Sequence, residues 1–202
     1  MSQLKLTADS GGGTVAIKAP ASTTGNAALD LVVPGTASAT LDTLGRAGNI
    51  LQVVQTVKTD TFTTTSTSFT DITGFSVNIT PSSSSSKILI TGVLTHGTVD
   101  TAPYGYYFKL LRDSTDINIA DAAGNRTRAT FGTQGNHNGP ATTSNPFEFL
   151  DSPSTTSQIT YKVQARVENP KTLYVNRGNE DDGDNAIVAR FTSCITVKEV
   201  AA

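Results

Sequence analysis

Ile159, Tyr161, Val163, Ala165 and Val167 alternate without a break with Thr160, Lys162, Gln164, Arg166 and Glu168. A period of two sends the apolar residues to one side of an extended chain and the polar ones to the other, which describes a half-buried β-strand. The closing segment follows the same rule, with Ile187, Ala189, Phe191, Ile195 and Val197 on one face and Arg190, Thr192, Cys194, Thr196 and Lys198 on the other. Further strands are expected at 51–58, 61–65, 75–80, 87–96, 104–112, 117–120, 126–131 and 147–150, and no segment carries a helical period. Turn chemistry separates them: Pro81 with Ser82 to Ser86, Asp113 to Asp116, Asp121 to Asn125, and Ser152 to Ser157. Thr and Ser, a strand former and a turn former, supply roughly a quarter of the chain. The fold class expected is all-β: a jelly-roll or β-sandwich head of about eight to ten antiparallel strands.

The head does not begin at residue 1. The chain has 8 Phe and 5 Tyr, yet none precedes Phe62. The first segment contains two short β-like runs, Val15 and Ile17 before Pro20, then Leu29, Leu31, Val32 and Val33 before Pro34. Segments this poor in aromatic residues cannot offset the ordering cost of their own backbone, so they must gain contacts elsewhere. Residues 1–49 are therefore expected to form an extended N-terminal β arm for attachment and docking, with those six apolar residues as its docking positions, and residues 50–202 to form the head. Gly11, Gly12 and Gly13 lack the Gly-Lys-Ser/Thr ending of a phosphate loop and suit a flexible joint.

The residues offer little for catalysis. A formal net charge of -2, from 15 Lys and Arg against 17 Asp and Glu, gives no electrostatic footprint for nucleic acid. Cys194 is the sole cysteine, so no intramolecular disulfide and no multi-cysteine metal site can form. A catalytic Ser or Cys activated by histidine and an orienting carboxylate could draw only on His96 and His137. His96 ends the apolar alternation Ile88, Ile90, Leu94 and reads as structural; His137 lies in the Gly/Asn-rich segment around Gln134, Asn136 and Asn138, which reads as a surface loop. Glu180, Asp181, Asp182 and Asp184 have hard oxygen ligands but miss the EF-hand spacing, so a solvated hairpin tip is the simpler reading. No catalytic residue, metal site or cofactor is expected, and the candidate receptor-contacting loops are 132–146 and 179–185. In the strand around Tyr106, Phe108 and Leu110, Tyr107 should face away from the core, with Lys109 and Leu111, toward solvent or a subunit. The start of the chain has no secretory apolar region and no run approaches a membrane span, so cytoplasmic synthesis without membrane insertion is expected.

The run Gly48 to Phe62, followed by Ser68 to Pro81, resembles a module of virion proteins from marine and cyanobacterial tailed phages. Ser83 to Leu89, Leu110 to Thr115 and the closing Ser193 to Glu199 are similar to the same module, so the likeness covers about three quarters of the chain. The Gly/Thr/Pro-rich start resembles the β arms that precede such modules in phage fibres. The resemblance implies a non-catalytic virion structural protein, a homotrimeric jelly-roll head in the manner of a short tail fibre or adhesin, mounted on other virion proteins through its arm. Capsid decoration is the alternative placement, and a host surface glycan is a candidate partner. A glycan-degrading enzyme and a carbohydrate-binding module are the readings from other classes. Trimerisation also fits apolar residues on second strand faces, Leu51, Val53, Leu89 and Leu111, which would need cover.

Overall fold

The computed structural model describes residues 46–98, 104–135, 141–169, 171–179 and 189–202. They form eleven strands: β1 (Ile50–Lys58), β2 (Phe62–Thr64), β3 (Thr70–Ile79), β4 (Lys87–Thr98), β5 (Tyr104–Arg112), β6 (Thr115–Ile117), β7 (Phe131–Gly135), β8 (Ala141–Asp151), β9 (Ile159–Val167), β10 (Leu173–Val175) and β11 (Ser193–Val200). No helix occurs among the described residues.

Three of these strands, β2, β6 and β10, are only three residues long. The other eight pair as one long ribbon rolled on itself: β1 with β11, β3 with β9, β4 with β8, and β5 with β7, all antiparallel. The β11·β4 and β5·β9 ladders then join these pairs into the sheets β1-β11-β4-β8 and β3-β9-β5-β7. First-with-last, inward to the middle, is the wrapping of a jelly roll, and the head has that fold. The β1 edge is continued outward by Gly48 N–H to the Ala201 carbonyl at 2.8 Å and Ala201 N–H to the Asn49 carbonyl at 2.9 Å.

The inner faces fill the space between the sheets. Ile88, Ile90, Leu94, Ile195 and Val197 from one sheet meet Phe75, Val77, Phe108, Leu110, Tyr161 and Val163 from the other. A train of aromatic rings runs through this core: Phe108 stacks on Phe131 and Phe131 on Phe147, each at 5.1 Å between centroids, and Phe75 meets Phe147 edge-on at 6.5 Å. Burying one such ring is worth about 2 to 3 kcal/mol. Gly92 makes room for the Phe147 ring, since a Cβ there would stand 2.4 Å from it.

Several expected boundaries move. The strand placed at 126–131 is absent; residues 118–130 are irregular, β6 ends at Ile117, and β7 begins at Phe131. Residues 132–135 and 141–146, expected as loop, belong to β7 and β8. Their Thr, Ser and Asn residues fall on both faces, so apolar alternation is missing although β7 pairs with β5 along its length and β8 with β4 from Ile88 to Thr98. The final strand starts at Ser193, preceded by a single bridge between Arg177 and Arg190. β10 is too short to announce itself. Leu111, expected to need cover, is buried within the chain.

Candidate functional site

The positions singled out in the sequence separate clearly. Val15, Ile17, Leu29, Leu31, Val32 and Val33 lie outside the described residues, as do Asn136, His137, Asn138, Glu180, Asp181, Asp182 and Asp184. Gln134 is exposed, but on β7 instead of a loop. His96 is fully buried among aromatic rings, 5.1 Å from Phe108 and 5.9 Å from Tyr106 between centroids, with Nε2 3.1 Å from the Thr133 hydroxyl. Its surroundings are those of a core residue. Among the described residues, no three His, Cys, Asp or Glu side chains gather to hold a metal ion.

The buried polar groups outside the sequence-based list are tied into structural networks. Glu199 has no exposed surface; Gln52 Nε2 donates to one oxygen at 2.6 Å, and the Ser82 N–H and hydroxyl donate to the other at 2.7 Å each. Burial pushes its pKa up, but the hydrogen bonds from Gln52, Ser82 and Ser86 outweigh that and bring it to about 2. Asn176, at φ 63°, donates through Nδ2 to the Lys58 and Asp60 carbonyls at 2.8 and 2.9 Å and accepts from Ser193 Oγ at 2.6 Å. Asp151 accepts from Arg112 NH1 on both oxygens and from the Tyr161 hydroxyl at 2.7 Å; burial and that carboxylate push the Tyr161 pKa up. Each network satisfies buried donors and fastens a loop or short strand to the sandwich.

Two surfaces remain. The outer face of β1-β11-β4-β8 carries two apolar rows across the strands. One runs Val57, Cys194, Val93, Pro146; the other runs Val53, Leu89, Leu150 and is interrupted on β11 by Lys198. Between them lies a polar row, Gln55, Thr196, Thr91 and Glu148. Val53 is 57% exposed, Val57 50% and Leu150 47%, and Ile50 at the start of β1 is 49%. A shallow hollow of about 460 Å³ opens between Val93, Pro146 and Cys194. This sheet is therefore apolar on its inner face and partly apolar on its outer one, and a sandwich already possessing a core does not need the second.

The other surface is polar. On the outer face of β5, Tyr107 lies between Gly132 of β7 and Arg166 of β9, its partners in the ladders. Its hydroxyl donates to Glu168 Oε2 at 3.2 Å, and the Arg166 guanidinium is 6.0 Å from its ring centroid and 5.8 Å from that of Phe69. Desolvation, then the Glu168 charge, push the Tyr107 pKa up. Arg166 NH1 also donates to Thr127 Oγ1 at 3.1 Å, which fastens the 118–130 segment over the sheet. A hollow of about 590 Å³ opens here, bounded by Tyr107, Asn125, Arg126, Gln134 and Glu168. Sequence reasoning placed Tyr107 on the outer face; it could not see Gly132 and Gln134 beside it without the β5·β7 register.

No family model matches the sequence, and no curated protein sequence does. Among solved structures, the chain is similar to one described as the structure of the infectious bursal disease virus Gx strain, at 14% identity over 86% of this chain and 43% of that one, with a TM-score of 0.41. It is also similar to the T13 viral particle of the same virus, at 12% identity over 86% of this chain and 40% of that one, with a TM-score of 0.40. The chain spans less than half the length of these two chains. Likeness at that level speaks to neither function nor assembly.

Proposed function

We propose that the chain is a non-catalytic structural protein of a tailed-phage virion, a homotrimeric short tail-fibre or adhesin-type module mounted on the particle by residues 1–49. The observation that carries this reading is the pair of apolar rows on the outer face of β1-β11-β4-β8. Exposed apolar rows on a sheet whose inner face already has a core are what an association surface needs, and solvent alone gives them no role. A second copy of the chain is the occupant proposed. The face is of mixed polarity and edged by β1, the strand that follows directly on the expected arm, so subunits packed here would start their arms from one place. The sequence resemblance supplies the threefold number and the particle. The inward packing of His96 and the structural engagement of Glu199 and Asp151 fit a role in display.

Labelling purified phage particles with an antibody against the head tests the reading. Signal at the tail is expected; signal spread over the capsid would move the protein to the decoration role, and its absence from particles would overturn the proposal. Release of reducing ends from host surface polysaccharide by the pure protein would replace it with an enzymatic one.

A further inference from the structure

We infer that the hollow around Tyr107 is a saccharide-binding site that takes a pyranose unit of a surface polysaccharide. The first observation is how the ring is held. A Cβ on Gly105, two residues earlier on the same face of β5, would stand 2.2 Å from Cζ and Oη of Tyr107, and one on Gly132 across the ladder would stand 3.3 Å from Cδ1. Gly105 thus leaves the room in which the ring lies down along the sheet, while Gly132 is held to glycine mainly by the Tyr106 carbonyl, 2.6 Å from where its Cβ would stand. The hydroxyl bonds to Glu168, and the guanidinium of Arg166 sits over the ring at 6.0 Å from its centroid, so both orient it before any ligand arrives. A half-buried aromatic ring held against a sheet is a platform for the C–H face of a sugar.

The second observation is the rim. Gln134 pairs with Gly105 across the β5·β7 ladder and is exposed, while Asn125 and Arg126 approach from the 118–130 segment. That segment is organised locally: Arg128 Nε donates to the Ala120 carbonyl at 2.6 Å, and the Arg126 N–H to the Ala123 carbonyl at 3.3 Å. Amide, guanidinium and carboxylate groups are planar and present two polar atoms at once, which matches the neighbouring hydroxyls around a pyranose edge. A volume of about 590 Å³ falls within the range of small-ligand clefts. Arg126 and Arg166 against Glu168 leave one positive charge in excess, too little to select a polyanion, and the polar rim does not suit an apolar ligand. A neutral sugar combines an apolar face with a hydroxylated edge, as this hollow does.

The inference rests on the display reading only for its biological purpose; binding can be measured on the isolated protein. The methyl glycosides of glucose, galactose, mannose and N-acetylglucosamine are titrated into ¹⁵N-labelled protein while amide shifts are followed. Saturable shifts with at least one glycoside are expected, centred on residues 105–107, 125–127, 132–134 and 168. Tyr107→Ala should weaken that binding about tenfold. Gln134→Ala, at an exposed position, should weaken it about threefold with unchanged thermal unfolding, so a folding defect cannot imitate the result. No saturable shift with any of the four, or equal affinity in both variants, overturns the assignment. A protein that joins particles but binds no glycoside would leave the virion reading standing without this site; one that binds a glycoside but is absent from particles would do the reverse.

Discussion

Glu199 Oε1 accepts both the backbone N–H and the hydroxyl of Ser82, each at 2.7 Å, so a carboxylate with no exposed surface locks the Ser-rich turn after β3 onto the last strand. With Gln52 of β1 on its other oxygen, one side chain ties together both ends of the head.

The first prediction follows from the direction of that group's titration. Its folded pKa of about 2 lies below its ordinary value of 4.5, so the contribution to stability is complete above pH 4.5 and is lost as pH falls from 4.5 toward 2. Urea unfolding midpoints measured from pH 6 to 2 should fall more steeply for the native chain than for Glu199→Gln across that window. Parallel curves would show that Glu199 is not held as described.

Asn176 combines a left-handed backbone with three side-chain hydrogen bonds. Asn176→Ala should cost about 3 kcal/mol or more, because it strands buried carbonyls and keeps an unfavourable φ. Asn176→Gly relieves the backbone but not the lost bonds, so it should recover about 1 kcal/mol of that loss. Chemical denaturation of both variants measures the split.

In the core, Phe147→Ala should cost about 3 to 5 kcal/mol through the cavity left between Phe131 and Phe75. Gly92→Ala should cost about 1 to 3 kcal/mol by pressing on the same ring. Removing the ring relieves that part of the Gly92→Ala strain but not the part set by the Cys194 carbonyl, 2.7 Å from the added Cβ, so the double variant should be somewhat less destabilised than the sum. Additive losses would show that the carbonyl, not the ring, sets the cost of Gly92→Ala.

Val57→Glu and Val53→Lys alter exposed positions on the outer sheet face, so each should change the stability of an isolated head by no more than about 0.5 kcal/mol. Light scattering should nevertheless show the native protein as a trimer and the Val57→Glu, Val53→Lys double variant as a monomer. A native monomer at micromolar concentration, or a double variant that stays trimeric, would refute this face as the subunit contact.

Much of the head was legible because its central strands carry contrast. β9 at Ile159–Val167 and β5 at Tyr104–Arg112 stand where alternation placed them, since each turns an apolar face toward the core and β9 a polar one away. β8 was seen only at its end. From Thr142 to Asn145 neither face is apolar, and its strand character comes from pairing with β4, a partner far along the chain. The networks of Glu199 and Asn176 were invisible for the same reason, as the Glu199 partners and the two carbonyls that Asn176 reaches lie more than a hundred residues away. Tyr107 was placed on the right face, but its setting depends on Gly132 and Gln134, which only the register of β7 brings beside it.

Particle incorporation of two chains, one complete and one starting at Gly48, tests the central claim most directly. Phage lacking the native gene product is supplied with either chain, and purified particles are assayed for it. The account predicts that both chains fold and form trimers, that the complete chain is found on particles, and that the shortened one stays free. A shortened chain incorporated as well as the complete one, or one unable to fold, would contradict mounting by the N-terminal arm.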